Sequence, residues 1–105
     1  MLYSNVFVDK GVIFIRFDGL VNVETIDELE RTINYLLYNV GVKYFVLDFM
    51  RTTFDKKIIS AVNNKLLEVY AHADKMILKG LDSNNLFDLS FVEAGAYLWE
   101  LISIF

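Results

Sequence analysis

Histidine, carboxylate and hydroxyl side chains are present in this chain, but few stand at spacings that support a reaction. The single histidine, His72, lies two residues before Asp74, and residues two apart on a helix do not face each other. The chain has no cysteine, and no serine stands in a nucleophile-elbow pattern. No set of residues therefore supplies a nucleophile, a base and an orienting group, and we expect the chain not to be an enzyme.

Three aspartates could converge near strand ends and hold a metal ion: Asp18, Asp48 and Asp55. Asp18 precedes Gly19 in a turn signal and Asp55 can cap a helix, so only Asp48, which ends an apolar strand, lacks a local explanation. A magnesium site needs carboxylates and several waters in octahedral array, and a Gly-rich phosphate loop is absent from the sequence. We expect no metal and no cofactor.

Two lysines, Lys56 and Lys57, follow Asp55 in the first turn of a predicted helix. Cations there oppose the helix dipole, at roughly 0.3–1 kcal/mol each when exposed. Two interpretations remain open. The lysines form a solvated pair without function, or they strengthen the field of the helix N-terminus so that an acidic protein surface or a phosphate docks there.

Apolar residues between the second strand and the first helix also admit two interpretations. In the first, Leu20 and Val23 fold inward, and Val21 packs on the helix if Asn22 is its N-cap. In the second, Val21 is exposed beside Phe54 and the two lysines, and the group forms a docking patch.

The elements that position these residues follow from hydrophobic periodicity and from capping signals. Strands are predicted at residues 3–8, 12–17, 44–47 and 76–78, with an edge strand at 87–91. Helices are predicted to begin at Thr25, Asp55 and Ser90, and two of them carry capping boxes, Thr25 with Glu28 and Ser90 with Glu93. The core face of the second helix is predicted to contain Ile58, Ile59, Val62, Leu66, Val69, Tyr70 and Ala73.

The element order is β-β-α-β-α-β-(β)-α, with Asp18 and Gly19 ending the second strand. This order predicts a single α/β domain over residues 1–105, with three helices against one face of a mixed four- or five-stranded sheet. No linker composition or internal repeat divides the chain.

Composition excludes several classes of function. Hydrophobic residues make up 55% of the chain, which is typical of a folded domain. The net charge is −4, and the basic residues are scattered, so we expect no nucleic-acid partner. No window approaches the ~20 apolar residues of a membrane helix, and no signal peptide is seen. Together with the absence of cysteine, these features predict a cytoplasmic protein.

The order and spacing of these pieces resemble the STAS domain, the fold of anti-sigma-factor antagonists and of regulatory modules attached to anion transporters. Residues 12–20, 23–29, 41–49 with 53–55, and 76–81 carry the resemblance. It implies a protein-interaction module in bacterial transcription regulation that binds an anti-sigma factor or its kinase. The residues that it implies for partner binding are Leu20, Val21, Asn22, Phe54, Asp55, Lys56 and Lys57.

In that family, a serine or threonine directly after the loop aspartate is phosphorylated by a partner kinase. Lys56 stands at the matching position here, so the resemblance implies that the usual phosphorylation switch is missing. Thr52, Thr53 and Ser60 are nearby hydroxyls, and each would serve only with a shifted register.

An alternative hypothesis is a self-associating structural or scaffold domain of the same fold. On the predicted last helix, Trp99 points away from the apolar stripe that contains Tyr97 and Phe105. An outward tryptophan is a candidate oligomer contact.

Overall fold

Four strands and two helices make up the part of the chain that the computed structural model describes, residues 1–40 and 44–81. The elements are β1 (Leu2–Asp9), β2 (Val12–Val21), α1 (Ile26–Asn39), β3 (Tyr44–Phe54), a 3-10 turn (Lys56–Ile58), α2 (Ile59–His72) and β4 (Lys75–Lys79). The described part thus has four strands and two helices where five strands at most and three helices are predicted. The predicted fifth strand and third helix, with Trp99, lie outside the described residues.

The four strands form one mixed sheet in the order β1-β2-β3-β4. β1 and β2 are antiparallel, whereas β2, β3 and β4 are parallel to one another. Lys10 and Gly11 join β1 to β2 with φ values of 52° and 81°, and two consecutive positive φ values are typical of a type I′ hairpin turn. The predicted mixed α/β sheet is confirmed.

Both helices pack on the same face of the sheet, as predicted. Alternate residues of β2 and β3 point toward the helices, because side chains along a strand alternate between its two faces. The buried residues of this core include Ile13, Ile15 and Phe17 from β2, Phe45, Leu47 and Phe49 from β3, Leu29, Ile33 and Leu37 from α1, and Val62, Leu66 and Val69 from α2. Neither helix in the described ranges is long and apolar enough to span a membrane.

Tyr70 was predicted to lie on the core face of α2, and that prediction is wrong. The side chain is 40% exposed, while Val69 beside it is fully buried. Consecutive helical residues are separated by about 100°, so Tyr70 lies at the margin of the stripe that Val62, Leu66 and Val69 define.

β2 and β3 are longer than predicted, because their pairing continues past Asp18 and Gly19 to Val21 and Phe54. The register shifts between Arg16 and Asp18, where β3 contains one extra residue. This is a β-bulge, which leaves backbone groups of the longer strand without ladder partners.

Side chains beside the bulge form hydrogen bonds with backbone and side-chain groups of β2 and β3. Asp48 Oδ1 accepts a hydrogen bond from the backbone N–H of Met50 at 2.9 Å, and Asp48 Oδ2 lies 3.0 Å from Arg16 Nε. Thr52 Oγ1 donates to the carbonyl of Phe17 at 3.0 Å. Gly80, which follows β4, packs against the same bulge, and a Cβ there would stand 2.5 Å from Met50 N. Asp48 therefore has a structural role.

Candidate functional site

The loop before α1 and the start of α2 meet at the carboxyl ends of β2 and β3. Leu20 pairs with Thr53, and Val21 pairs with Phe54, in the last two rungs of the parallel ladder. Directly beyond it, the backbone N–H of Asp55 donates to the carbonyl of Val21 at 2.9 Å. The two segments that were predicted to carry the binding residues are therefore adjacent.

Asn22 organises the loop before α1. Its Oδ1 accepts hydrogen bonds from the backbone N–H groups of Glu24 and Thr25, at 2.9 and 3.0 Å. The Thr25 hydroxyl accepts from the N–H of Asn22 at 2.9 Å and donates to the carbonyl of Leu20 at 2.7 Å. These four bonds close the loop on itself, so its backbone is held in one shape.

The predicted capping box between Thr25 and Glu28 is wrong. The Thr25 side chain makes no cap bond to α1, because its buried hydroxyl is already used in closing the loop. Asn22 makes the two bonds of an N-cap instead, to the second and third residues after it.

Neither interpretation of the apolar loop is correct in full. Val21 is fully buried, as the first interpretation requires, but Leu20 and Val23 are 43% and 62% exposed. The cause is the length of β2. Val21 continues the alternation that buries Ile13, Ile15 and Phe17, and Leu20 therefore points to the opposite face. The exposed Val21 of the second interpretation is excluded, and Leu20 and Val23 are the exposed apolar residues of this loop.

On the other side of the junction, Asp55 caps the turn that leads into α2, as predicted. Its Oδ1 accepts a hydrogen bond from the N–H of Lys57 at 3.1 Å. Lys56 and Lys57 are both exposed, and the half-buried ring of Phe54 packs on Phe49 with a centroid distance of 5.7 Å. We call the exposed group of Leu20, Val23, Lys56 and Lys57 the junction patch.

Of the three hydroxyls that were considered, Thr52 is already bonded to the carbonyl of Phe17. Thr53 and Ser60 are exposed, at the end of β3 and in the first turn of α2. They lie on either side of Lys56 and Lys57 in the chain.

The three aspartates engage different neighbours. Asp48 pairs with Arg16 at 3.0 Å, Asp18 lies 4.0 Å from Arg51 across the sheet, and Asp55 caps the turn before α2. Among the residues that the structure describes, no group of three or more acidic or histidine side chains could hold a metal ion. The convergence that a magnesium site would require is therefore not seen in this part of the chain.

His72 lies in the last turn of α2, at the far end of that helix from the junction patch. Its Nδ1 is 2.9 Å from the carbonyl of Glu68, and its ring packs edge-on against Tyr38. These contacts assign His72 to the surface between α1 and α2.

A polar network on that surface was not predicted. Buried Lys65 donates to Asn34 Oδ1 at 2.6 Å and to Glu68 Oε1 at 3.0 Å, and the Tyr38 hydroxyl donates to Glu68. The hydrogen bond from Tyr38 is the largest cause of a lowered pKa at Glu68, and the bond from Lys65 is the second. The same bond to Glu68 raises the pKa of Tyr38. The three-residue spacing of Lys65 and Glu68 was the only signal of this network in the sequence.

Solved structures of similar shape include several anti-sigma-factor antagonists. A STAS domain of an antisigma-factor antagonist from Rhodobacter sphaeroides has a TM-score of 0.62 and 13% identity, over 85% of this chain and 94% of that one. An anti-sigma factor antagonist from Mycobacterium paratuberculosis has a TM-score of 0.60 and 13% identity, over 99% and 80%. The phosphorylated form of SpoIIAA, a Bacillus cell fate determinant, has a TM-score of 0.58 and 19% identity, over 78% and 76%.

A larger protein, Mglu, is similar over 85% of this chain with a TM-score of 0.62 and 11% identity, and this chain spans 20% of that chain's length. No protein-family model and no curated protein matches the sequence. The structural similarity shows the fold, and the predicted STAS-like α/β fold is confirmed.

Proposed function

We propose that this chain is a non-catalytic, cytoplasmic protein-interaction module that acts like an anti-sigma-factor antagonist in bacterial transcription regulation. The observation that carries the proposal is the junction patch. Two exposed apolar side chains, Leu20 and Val23, and two exposed cations, Lys56 and Lys57, project from segments joined by a backbone bond. Exposed apolar and charged side chains on two adjoining segments are the composition of a protein-binding surface.

The charge of the patch indicates the kind of partner. Lys56 and Lys57 stand at the N-terminus of the α2 segment, where the helix dipole adds to their positive field. An acidic surface on the partner would pair with the positive charges of both lysines. We propose an anti-sigma factor or its kinase, which the structurally similar antagonists suggest.

We further propose that the module works without the usual phosphorylation switch. Lys56 directly follows the capping Asp55, where a phosphoacceptor would stand in the family, and a lysine cannot take its place. The hydroxyl of Thr52 is bonded to the backbone of β2. Thr53 and Ser60 have exposed hydroxyls, and phosphorylation of either would contradict this proposal.

Affinity capture from the lysate of the host tests the proposal, with partners and phosphopeptides identified by mass spectrometry. The tagged wild type should recover an anti-sigma factor or kinase without a phosphopeptide at Thr53 or Ser60. The double variant Lys56→Glu/Lys57→Glu should bind that partner roughly tenfold more weakly, because each exposed charge pair contributes up to about 1 kcal/mol.

The matched control is Lys10→Glu/Arg31→Glu, which makes the same change in net charge at exposed positions outside the junction patch. It should retain the partner. Equal partner binding by the Lys56/Lys57 variant and the wild type would exclude the junction patch as the binding site. A phosphopeptide at Thr53 or Ser60 would contradict the proposed loss of the phosphorylation switch.

A further inference from the structure

Among the described strands, β1 forms one edge of the sheet and pairs with β2 alone. Four large apolar side chains of this strand are well exposed: Tyr3 (62%), Val6 (40%), Phe7 (60%) and Val8 (51%). The strand is eight residues long and pairs with β2 through eight consecutive positions without a bulge. An apolar edge of this length is a template for pairing with another strand.

The usual protections of an edge strand are missing from residues 2–8. This segment, Leu-Tyr-Ser-Asn-Val-Phe-Val, contains no charged residue and no proline. Edge strands in monomeric proteins are commonly blunted by lysine, by proline or by a bulge. β1 has none of the three, and no described strand pairs with its outer edge.

Hydrogen-bonding groups on that edge are regularly spaced. Asp9 and Val12 flank the two-residue turn and are paired, and such flanking residues exchange both backbone bonds. Odd-numbered residues of β1 therefore bond to β2. The N–H and C=O groups of Leu2, Ser4, Val6 and Val8 consequently point away from the sheet.

We propose that β1 is a self-association edge, at which two copies of the chain pair antiparallel about a twofold axis at Asn5. In this register, Tyr3 stands opposite Phe7 of the second copy and Ser4 opposite its Val6. The free bonding groups of Ser4 and Val6 then meet, and the core face of one sheet continues as the core face of the other. Phe7 already stacks on Phe14 at 4.7 Å, so Tyr3 of the second copy extends an aromatic row.

Two features of this edge favour a second copy as the occupant: an uncharged contact segment and a groove of balanced charge beside it. The chain carries a net charge of −4, which opposes association, but residues 2–8 of the contact strand carry no charged side chain. A groove of about 540 Å³ runs between β1 and α1, and it is lined by Val6, Glu28, Arg31, Thr32, Tyr35 and Leu36. The groove contains one acidic and one basic residue, which is a self-complementary set when two copies bring their α1 helices together. No residue of the junction patch is used.

Sedimentation equilibrium of the full chain, wild type and variants, tests whether the edge associates. Ser4→Pro removes an outward N–H, and Val6→Lys places a charge in the contact, so each should raise the dissociation constant by about tenfold or more. Leu67→Lys, at an exposed apolar position on α2, is the control and should leave it unchanged. A strictly monomeric wild type would overturn the proposal, as would a dimer that both β1 variants leave intact.

Cross-linking tests the register, because the chain has no cysteine of its own. In the proposed pair, the two Asn5 Cα atoms are about 4.5 Å apart, within disulfide range. The two Tyr3 Cα atoms are about 14 Å apart, because four rungs of ~3.4 Å separate them. Asn5→Cys should give a covalent dimer on mild oxidation and Tyr3→Cys should not. No dimer from Asn5→Cys, or equal dimer from both, would contradict the register.

Discussion

Gly80 follows β4 with a φ of +81°, and its Cα faces the backbone of the β3 bulge at Met50. Gly80→Ala should destabilise the protein by about 2 kcal/mol or more, because the left-handed backbone strains alanine and its Cβ would overlap Met50 N. Gly11 is a matched control. It has the same φ, but nothing lies within 4 Å of an added Cβ, so Gly11→Ala should cost only about 1 kcal/mol. Urea unfolding measures the stability of both variants. Equal losses of stability would show that the contact between residue 80 and the bulge does not contribute to the effect.

Glu68 links stability to pH. Because its pKa is lowered in the folded state, the carboxylate contributes stability above the usual glutamate pKa of about 4.3 and loses it as pH falls through the folded value. The urea midpoint of Glu68→Gln should therefore fall less than that of the wild type between about pH 7 and pH 3. Glu24→Gln, at an exposed loop position, is the control. A Glu68→Gln variant with the same acid profile as the wild type would refute this linkage.

Tyr38 belongs to the same hydrogen bond and titrates in the opposite range. Its pKa is raised, so its contribution is present below the usual tyrosine pKa of about 10 and is lost as pH rises through the folded value. The network between α1 and α2 is thus most stable at intermediate pH.

At the scale of single elements, the start of α1 depends on Asn22. Asn22→Ala removes the side-chain acceptor for the N–H groups of Glu24 and Thr25 and should destabilise the protein by about 1 kcal/mol. Asn39→Ala, at the exposed last residue of α1, should change stability by less than about 0.5 kcal/mol. Thermal unfolding measures the stability of both variants. An Asn22→Ala variant as stable as the wild type would contradict the capping role of Asn22.

The same scale shows where sequence reasoning reached its limit. Hydrophobic periodicity located both described helices, because an amphipathic stripe is a local property. The true ends of β2 and β3 were missed, since Asp18 and Gly19 have turn propensity but are held in the sheet by pairing with residues 33 positions away. The alternation of Ile13, Ile15, Phe17 and Val21 was the available signal of the longer strand.

At the scale of the whole molecule, the mixed sheet and the placement of both helices on one face followed from element order and the handedness of crossovers. The resemblance named binding residues on the two segments of the site, and the parallel pairing of β2 with β3 brings these segments together. Which loop residues face outward could not be predicted. The exposure of Leu20 and the burial of Val21 depend on a strand register that forms between distant parts of the chain.

The strand order β1-β2-β3-β4 is also the order of synthesis. Each strand adds to the outer side of the one made just before it, and no described strand must be inserted between two that are already paired. The hairpin of β1 and β2 can close within microseconds of leaving the ribosome. β3 can then pair with β2, which is already in place, and β4 can pair with β3. Assembly of this sheet can therefore proceed vectorially, from the amino terminus onward, while the rest of the chain is still being translated.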